Sequence, residues 1–369
     1  MSIRVSAPTG VTAGERVQWI DLFRAWMMFA IVWGHAMGVG KLGSSLVNRY
    51  LYSFHVAAFF LISGYLFTGS DVTFGRFFWK KCKSLLVPYY IFSLLSIGIF
   101  TVLGSFASSG LGVAVKSTDI LPNILGMLYG NGATGYMKWN LPLWFIPCLF
   151  ATNIVFYGIE KLILALKKKL GLVTVMAGFF AVSFLLAILN YYVLKLKMLP
   201  FGLETVLYML PFYAAGYFLR SFPKLFQSKS VGKLVVAAIM LCIGAVLAIA
   251  VQKKVDYATS RYENLVVFYI SAFFSVVGFA LLARCLPCKW LTYMGKNTLP
   301  ILLMHKFPII FMQMFLRKYM EKNLLAGIGI SVIIAIVACA ASLFVGQIIK
   351  LWMPFVLGGK KVTPAEKKR

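Results

Sequence analysis

Ten apolar runs of membrane-spanning length succeed one another along the 369 residues, at about 19–39, 50–68, 84–104, 142–165, 171–192, 200–219, 231–251, 264–284, 298–316 and 324–352. About 20 predominantly apolar residues cross a bilayer as a helix. The chain therefore reads as an all-α, polytopic integral membrane protein with about ten transmembrane helices. Composition agrees, with 61% hydrophobic and 13% charged residues against about 25% charged in soluble domains, and a mean hydropathy of +0.85. Loops are short except 105–141, which is rich in Gly and Ser. No internal repeat, low-complexity tract or second domain is visible. Residues 1–369 are expected to form one membrane domain, with cytoplasmic tails at 1–16 and 353–369, the latter basic. The first apolar run starts only near residue 17 and no small-residue cleavage site follows it, so no cleavable signal peptide is expected.

Lys and Arg total 37 against 10 Asp and Glu, a net charge of +27. In a soluble protein that balance would suggest nucleic acid, but here position decides. With both termini placed inside, most of the basic residues fall on the inner side, among them Arg4, Arg16, Arg76, Lys80, Lys81, Lys83, Lys161, Lys224, Lys229 and Lys350. That is the bias of a cytoplasmic face. The partner is then the lipid bilayer, and no nucleic acid is expected. The six cysteines are scattered. Cys285 and Cys288 form a lone CxxC with neither a second pair nor a nearby histidine, so a metal site is not expected.

The run 19–39 organises the rest. It carries Asp21, Arg24 and His35 inside an apolar segment, where ionisable groups are costly and usually functional. Arg24 and His35 are eleven residues apart, which at ~100° per residue returns them to one face about 16 Å apart. Asp21, three residues before Arg24, can pair with it. The alternatives are interfacial snorkelling for Asp21 and Arg24, and a neighbouring helix that merely satisfies His35.

Further polar groups interrupt later runs. His55 enters the second run at a depth similar to His35, and Ser63–Gly64 follow where small residues permit close helix approach. Arg76, Lys80, Lys81 and Lys83 form a basic cluster before Pro88. Such a cluster either anchors to anionic lipid or holds a polyanionic ligand through its phosphates. Trp144 opens the fourth run, as an aromatic belt residue would. Glu204 opens the sixth, Asn297 precedes the ninth, and His305 lies within it. All three histidines of the chain thus fall in apolar runs.

Taken together, these stretches resemble the acyltransferase 3 family of membrane O-acyltransferases, with the fucose 4-O-acetylase-like subgroup nearest. The resemblance rests on Asp21-Leu-Phe-Arg24 with His35, Phe54-His55 through Phe59-Phe60-Leu-Ile-Ser63-Gly64-Tyr65, and the basic run ending in Pro88-Tyr89. Leu143-Trp144-Phe145, Phe212 with Gly216-Tyr217, and Gly295 through His305 extend it over about residues 17–310. It implies a ten-helix domain with a cytoplasmic N-terminus that moves an acyl group, usually acetyl, from cytosolic acyl-CoA to a sugar hydroxyl. The family's essential arginine and histidine carry over to Arg24 and His35. Its basic pair before the third-span proline aligns with Lys81 and Ser84, so one arginine is replaced by lysine and the other is lost.

The expected chemistry is direct O-acyl transfer. Arg76, Lys80, Lys81 and Lys83 would hold the phosphates of acetyl-CoA, the acyl donor, with Arg24 further along. His35 would act as general base on the hydroxyl of a carbohydrate acceptor, an acyl-histidine intermediate being the second route. Asn297, Tyr65 and Trp144 are candidate oxyanion donors. His55 or His305 would orient the acceptor or His35, and Glu204 joins the expected substrate-binding set. A bacterial inner membrane fits best. The rival class is an exporter of a polysaccharide precursor, since intramembrane histidines also mark proton relays.

Overall fold

The computed structural model describes residues 18–69, 71–103, 120–135, 137–222, 230–251, 255–286 and 288–358. The expected tail 1–16, most of the basic C-terminal tail, and Arg4, Arg16, Lys224 and Lys229 lie outside them. Among the described residues every regular element is helical, and only the isolated bridge between Asp256 and Arg261 pairs strands of backbone.

A helix occupies each of the ten apolar runs, but they divide into two kinds. Six helical segments are long and apolar enough to cross a membrane: Phe74–Val102, Asn140–Leu170, Leu172–Leu194, Val231–Val251, Leu265–Cys285 and Leu324–Trp352. The pair Thr298–Met304 and Lys306–Lys322, bent by 50°, raises the number to seven. These segments expose apolar side chains such as Leu185, Val235, Val246 and Phe344, the surface that lipid tails accept. The protein is an integral membrane protein. The expected count of ten is reached only by adding three helices that fail the same test: α1 (Gln18–Ala36), α2 (Leu46–Tyr65) and the 17-residue Leu203–Leu219. The physical reason is that all three are mostly buried by their neighbours, which leaves room for Asp21, His55 and Glu204 among their buried residues.

Local rules account for the breaks. Ser45 caps α2 by accepting from the Asn48 N–H at 3.3 Å, and Asn323 caps the last long helix by accepting from the Leu325 N–H at 2.8 Å, each satisfying a donor the helix start leaves open. α3 (Phe74–Lys81) runs into α4 (Val87–Val102) through a wide π turn over Cys82–Leu86. Pro88 has no N–H to offer the preceding turn, and the chain widens just before it. Similarly, Pro308 cannot donate to the Met304 carbonyl, and the ninth run bends at His305. The 105–141 stretch, expected to be a loop, contains the apolar helix Ile120–Tyr129.

α1 is central. It packs against α2, Leu265–Cys285, Lys289–Lys296 and Leu324–Trp352. Three glycines set how close the helices come at and around it. At the crossing of α2 with Leu203–Leu219, a Cβ on Gly64 would overlap the Tyr213 carbonyl oxygen, and one on Gly216 would overlap that of Leu61. A Cβ on Gly295 would likewise overlap the Asp21 carbonyl oxygen. Backbones therefore touch at these positions.

Candidate active site

Two neighbouring cavities open along one stripe of α1. Arg24, Met28, Ile31 and His35 follow each other at spacings of four, three and four, which stacks them on one helix face. Arg24, Met28 and Ile31 line the first cavity, of about 280 Å³, together with Ser63, Lys81, Ser84, Phe145, Asn153, Thr298 and Leu302. Ile31 and His35 line the second, of about 470 Å³, with Tyr52, His55, Trp144, Phe145, Asp256, Arg261, Leu302 and Lys306. Ile31, Phe145 and Leu302 belong to both linings and form an apolar partition.

In the Arg24 cavity, the guanidinium lies 3.9 Å from the Asp21 carboxylate, so the expected pairing is present. The ammonium of Lys81 sits over the Phe77 ring at 5.3 Å, and the widened turn carries Ser84 to the same wall. Asn153 donates to the Leu149 carbonyl at 2.7 Å and accepts from the Tyr213 hydroxyl at 3.1 Å. Of the basic cluster, only Lys81 reaches the cavity. Arg76, Lys80 and Lys83 are exposed on the adjoining surface.

His35 and His55 line the second cavity, and the fully buried His305, which lines neither cavity, lies behind His35. The Tyr52 hydroxyl is 3.2 Å from His35 Nδ1. The Tyr52 ring lies between His35 and His55, with centroid distances of 6.0 and 4.9 Å. His305 places its ring 5.3 Å from that of His35. A carbonyl oxygen only accepts, so the contacts of His55 with Leu51 O and of His305 with Ile301 O at 2.8 Å assign the proton of both rings to Nδ1. The loop at 255–262 covers this chamber. Its Tyr257 donates to the Ser53 carbonyl at 2.9 Å, and burial pushes that phenol well above its ordinary value, so it stays a neutral donor.

Several expected residues lie elsewhere. Glu204 is buried, but it accepts from Asn131 Nδ2 at 2.7 Å and from the Leu199 N–H at 3.1 Å, clamping two loops. Tyr65 stacks edge-on against Trp19 at 5.7 Å. Asn297 donates to the Tyr293 carbonyl at 2.8 Å and accepts from Lys350, and its neighbour Thr298 lines the Arg24 cavity instead. None of these three lines either chamber. Conversely, Tyr52, Asp256, Arg261 and Lys306 were not expected. Tyr52 stands three residues before His55, a helical spacing that could have found it. Lys306 follows His305 directly. The 255–262 loop carries no local pattern that announces its position. Among the described residues, no group of three or more His, Cys, Asp or Glu could hold a metal ion.

Residues 17–349 match a family described as an acyltransferase domain. No curated protein and no solved structure matches the chain.

Proposed function

The chain belongs to the acyltransferase 3 family, and from that membership we propose that it transfers an acyl group from cytosolic acyl-CoA to a sugar hydroxyl. As an acyl-transferring membrane enzyme it needs a donor site, an acceptor site and a path between them. The observation that carries the reading is the α1 stripe, with Arg24 in one cavity, His35 in the other and the shared partition Ile31–Phe145–Leu302 between.

The Arg24 cavity suits the donor. At about 280 Å³ it falls just under the usual range for small-molecule sites, about 300–1,000 Å³, and so suits a slim pantetheine arm rather than a whole nucleotide. Arg24, Lys81 and Ser84 supply charge and hydrogen bonds for phosphate oxygens. Exposed Arg76, Lys80 and Lys83 extend that charge outward for the nucleotide end. This face is cytoplasmic in the proposed orientation, with ten helices crossing a bacterial inner membrane and both termini inside.

The His35 cavity suits the acceptor. In the reactive tautomer His35 Nδ1–H donates to the Tyr52 oxygen, leaving Nε2 to take the proton of the hydroxyl. The deprotonated oxygen then bonds to the thioester carbonyl carbon, the C–S bond breaks, and the proton passes to the departing thiolate. Tyr52 is a positioning residue in this scheme, because it acts through His35. Transfer of labelled acetyl from acetyl-CoA into membrane carbohydrate tests the reading. His35→Ala should lower it by about 10²- to 10⁴-fold, the range of general-base catalysis, in a protein that still runs as one species on size exclusion. Undiminished transfer would refute the assignment.

A further inference from the structure

We propose that the acceptor carries an anionic group, a carboxylate or phosphate on the sugar, held by Lys306 and Arg261 in the His35 cavity. This rests on the reading of that cavity as the acceptor site. Two cations, Lys306 and Arg261, line the chamber against a single carboxylate, Asp256. Neither cation forms an ion pair with a carboxylate among the described residues. Asp256 is already engaged within its own loop. Its Oδ1 accepts from the N–H groups of Ala258 at 3.0 Å and Thr259 at 3.4 Å, while its backbone exchanges hydrogen bonds with that of Arg261 at 3.1 and 2.9 Å.

Arg261 is exposed at the rim of the chamber, whereas Lys306 is half-buried, and a cation drawn away from bulk water without a counter-charge is unfavourable. Other cations of this chain are handled differently: Arg24 lies beside Asp21, and Arg317 donates to Glu321 at 2.9 Å on the surface. Lys306 instead sits within an apolar run, at the point where the Pro308 bend starts a new helix. It directly follows His305, whose ring lies 5.3 Å from the His35 ring, so charge and base serve one chamber. Carboxylate and phosphate oxygens are the groups that such cations bind most strongly. A volume of about 470 Å³ leaves room for a sugar and its charged substituent. The preference would act as specificity, since an acceptor lacking the anion leaves the half-buried Lys306 unpaired in the complex.

The test is a titration of the full chain in detergent at low salt with glucose, glucuronate and glucose 1-phosphate, followed by thermal shift or saturation-transfer NMR. At least one anion should bind ten or more times tighter than glucose. Salt should weaken only the anion. Lys306→Gln and Arg261→Gln should each remove most of that advantage, and Lys306→Arg should retain it, which separates lost recognition from lost folding. Glucuronate ahead indicates a sugar acid; glucose 1-phosphate ahead indicates a phosphate-linked sugar of the kind a lipid carrier bears. The proposal is overturned if glucose binds as well as both anions, if no probe saturates, or if the preference survives in the double variant. Acetyl-CoA titrated into the same samples reports separately on the donor reading. Its failure beside intact anion binding would remove the acyl-transfer scheme and leave the anion site standing.

Discussion

The contact between Tyr52 and His35 is where the chemistry can be probed with the smallest change. Tyr52→Phe removes one hydroxyl and keeps the ring between His35 and His55. A single hydrogen bond is worth about 0.5–1.5 kcal/mol, so kcat should fall up to about tenfold with KM for acyl-CoA unchanged. The pH profile of kcat should move as well, because the imidazole loses a partner that holds its tautomer. A rise in KM for the acceptor with kcat unchanged would mean that Tyr52 only shapes the chamber. Much of this site was legible from residue types and spacing: Arg24 and His35 share a face because eleven residues make three turns. Glu204 shows the converse. As a carboxylate in an apolar run it read as a substrate ligand, yet its partner Asn131 is 73 positions away. No local pattern could reveal that the pair is a clamp.

At the level of elements, close backbone approach and one irregular turn position the site. Gly216→Ala would drive a Cβ into the Leu61 carbonyl on α2. Overpacking costs about 1–3 kcal/mol, so a lower Tm and reduced yield in detergent are expected, with acyl-CoA affinity lost only in step with folding. Pro88→Ala should act differently. It gives residue 88 an N–H again, lets the π turn close toward regular helix, and rotates Lys81 and Ser84 away from the Arg24 cavity. The expected outcome is a stable protein that binds acetyl-CoA several-fold more weakly. A variant with unchanged affinity would show that the wide turn is incidental. Sequence patterns located these helices well, since each expected run is helical. They did not reveal the turn, nor the bend at His305, because a proline inside an apolar run marks a disturbance without fixing its form. Nor did the basic cluster announce that only Lys81 of its four cations lines the Arg24 cavity, while Arg76, Lys80 and Lys83 stay on the surface beside it.

On the scale of the whole molecule, two chambers separated by Ile31, Phe145 and Leu302 imply that the partition limits which acyl group passes. Phe145→Ala removes the largest of the three. Transfer of butyryl relative to acetyl should rise, measured as product ratio from a mixed donor pool, and an unchanged ratio would place acyl selection elsewhere. The loop at 255–262 closes the second chamber with residues that had no local signature, so the His35 cavity was the part of the site least readable in the sequence. The division of labour along α1 is the central claim, and one experiment addresses it directly. Acetyl-CoA binding to the purified protein would be measured by calorimetry beside Arg24→Ala and His35→Ala, with acyl transfer assayed on the same samples. Arg24→Ala should bind the donor at least tenfold more weakly, whereas His35→Ala should bind it normally and transfer about 10²- to 10⁴-fold more slowly. Normal donor binding in Arg24→Ala, or loss of donor binding in His35→Ala, would contradict the assignment of the two cavities.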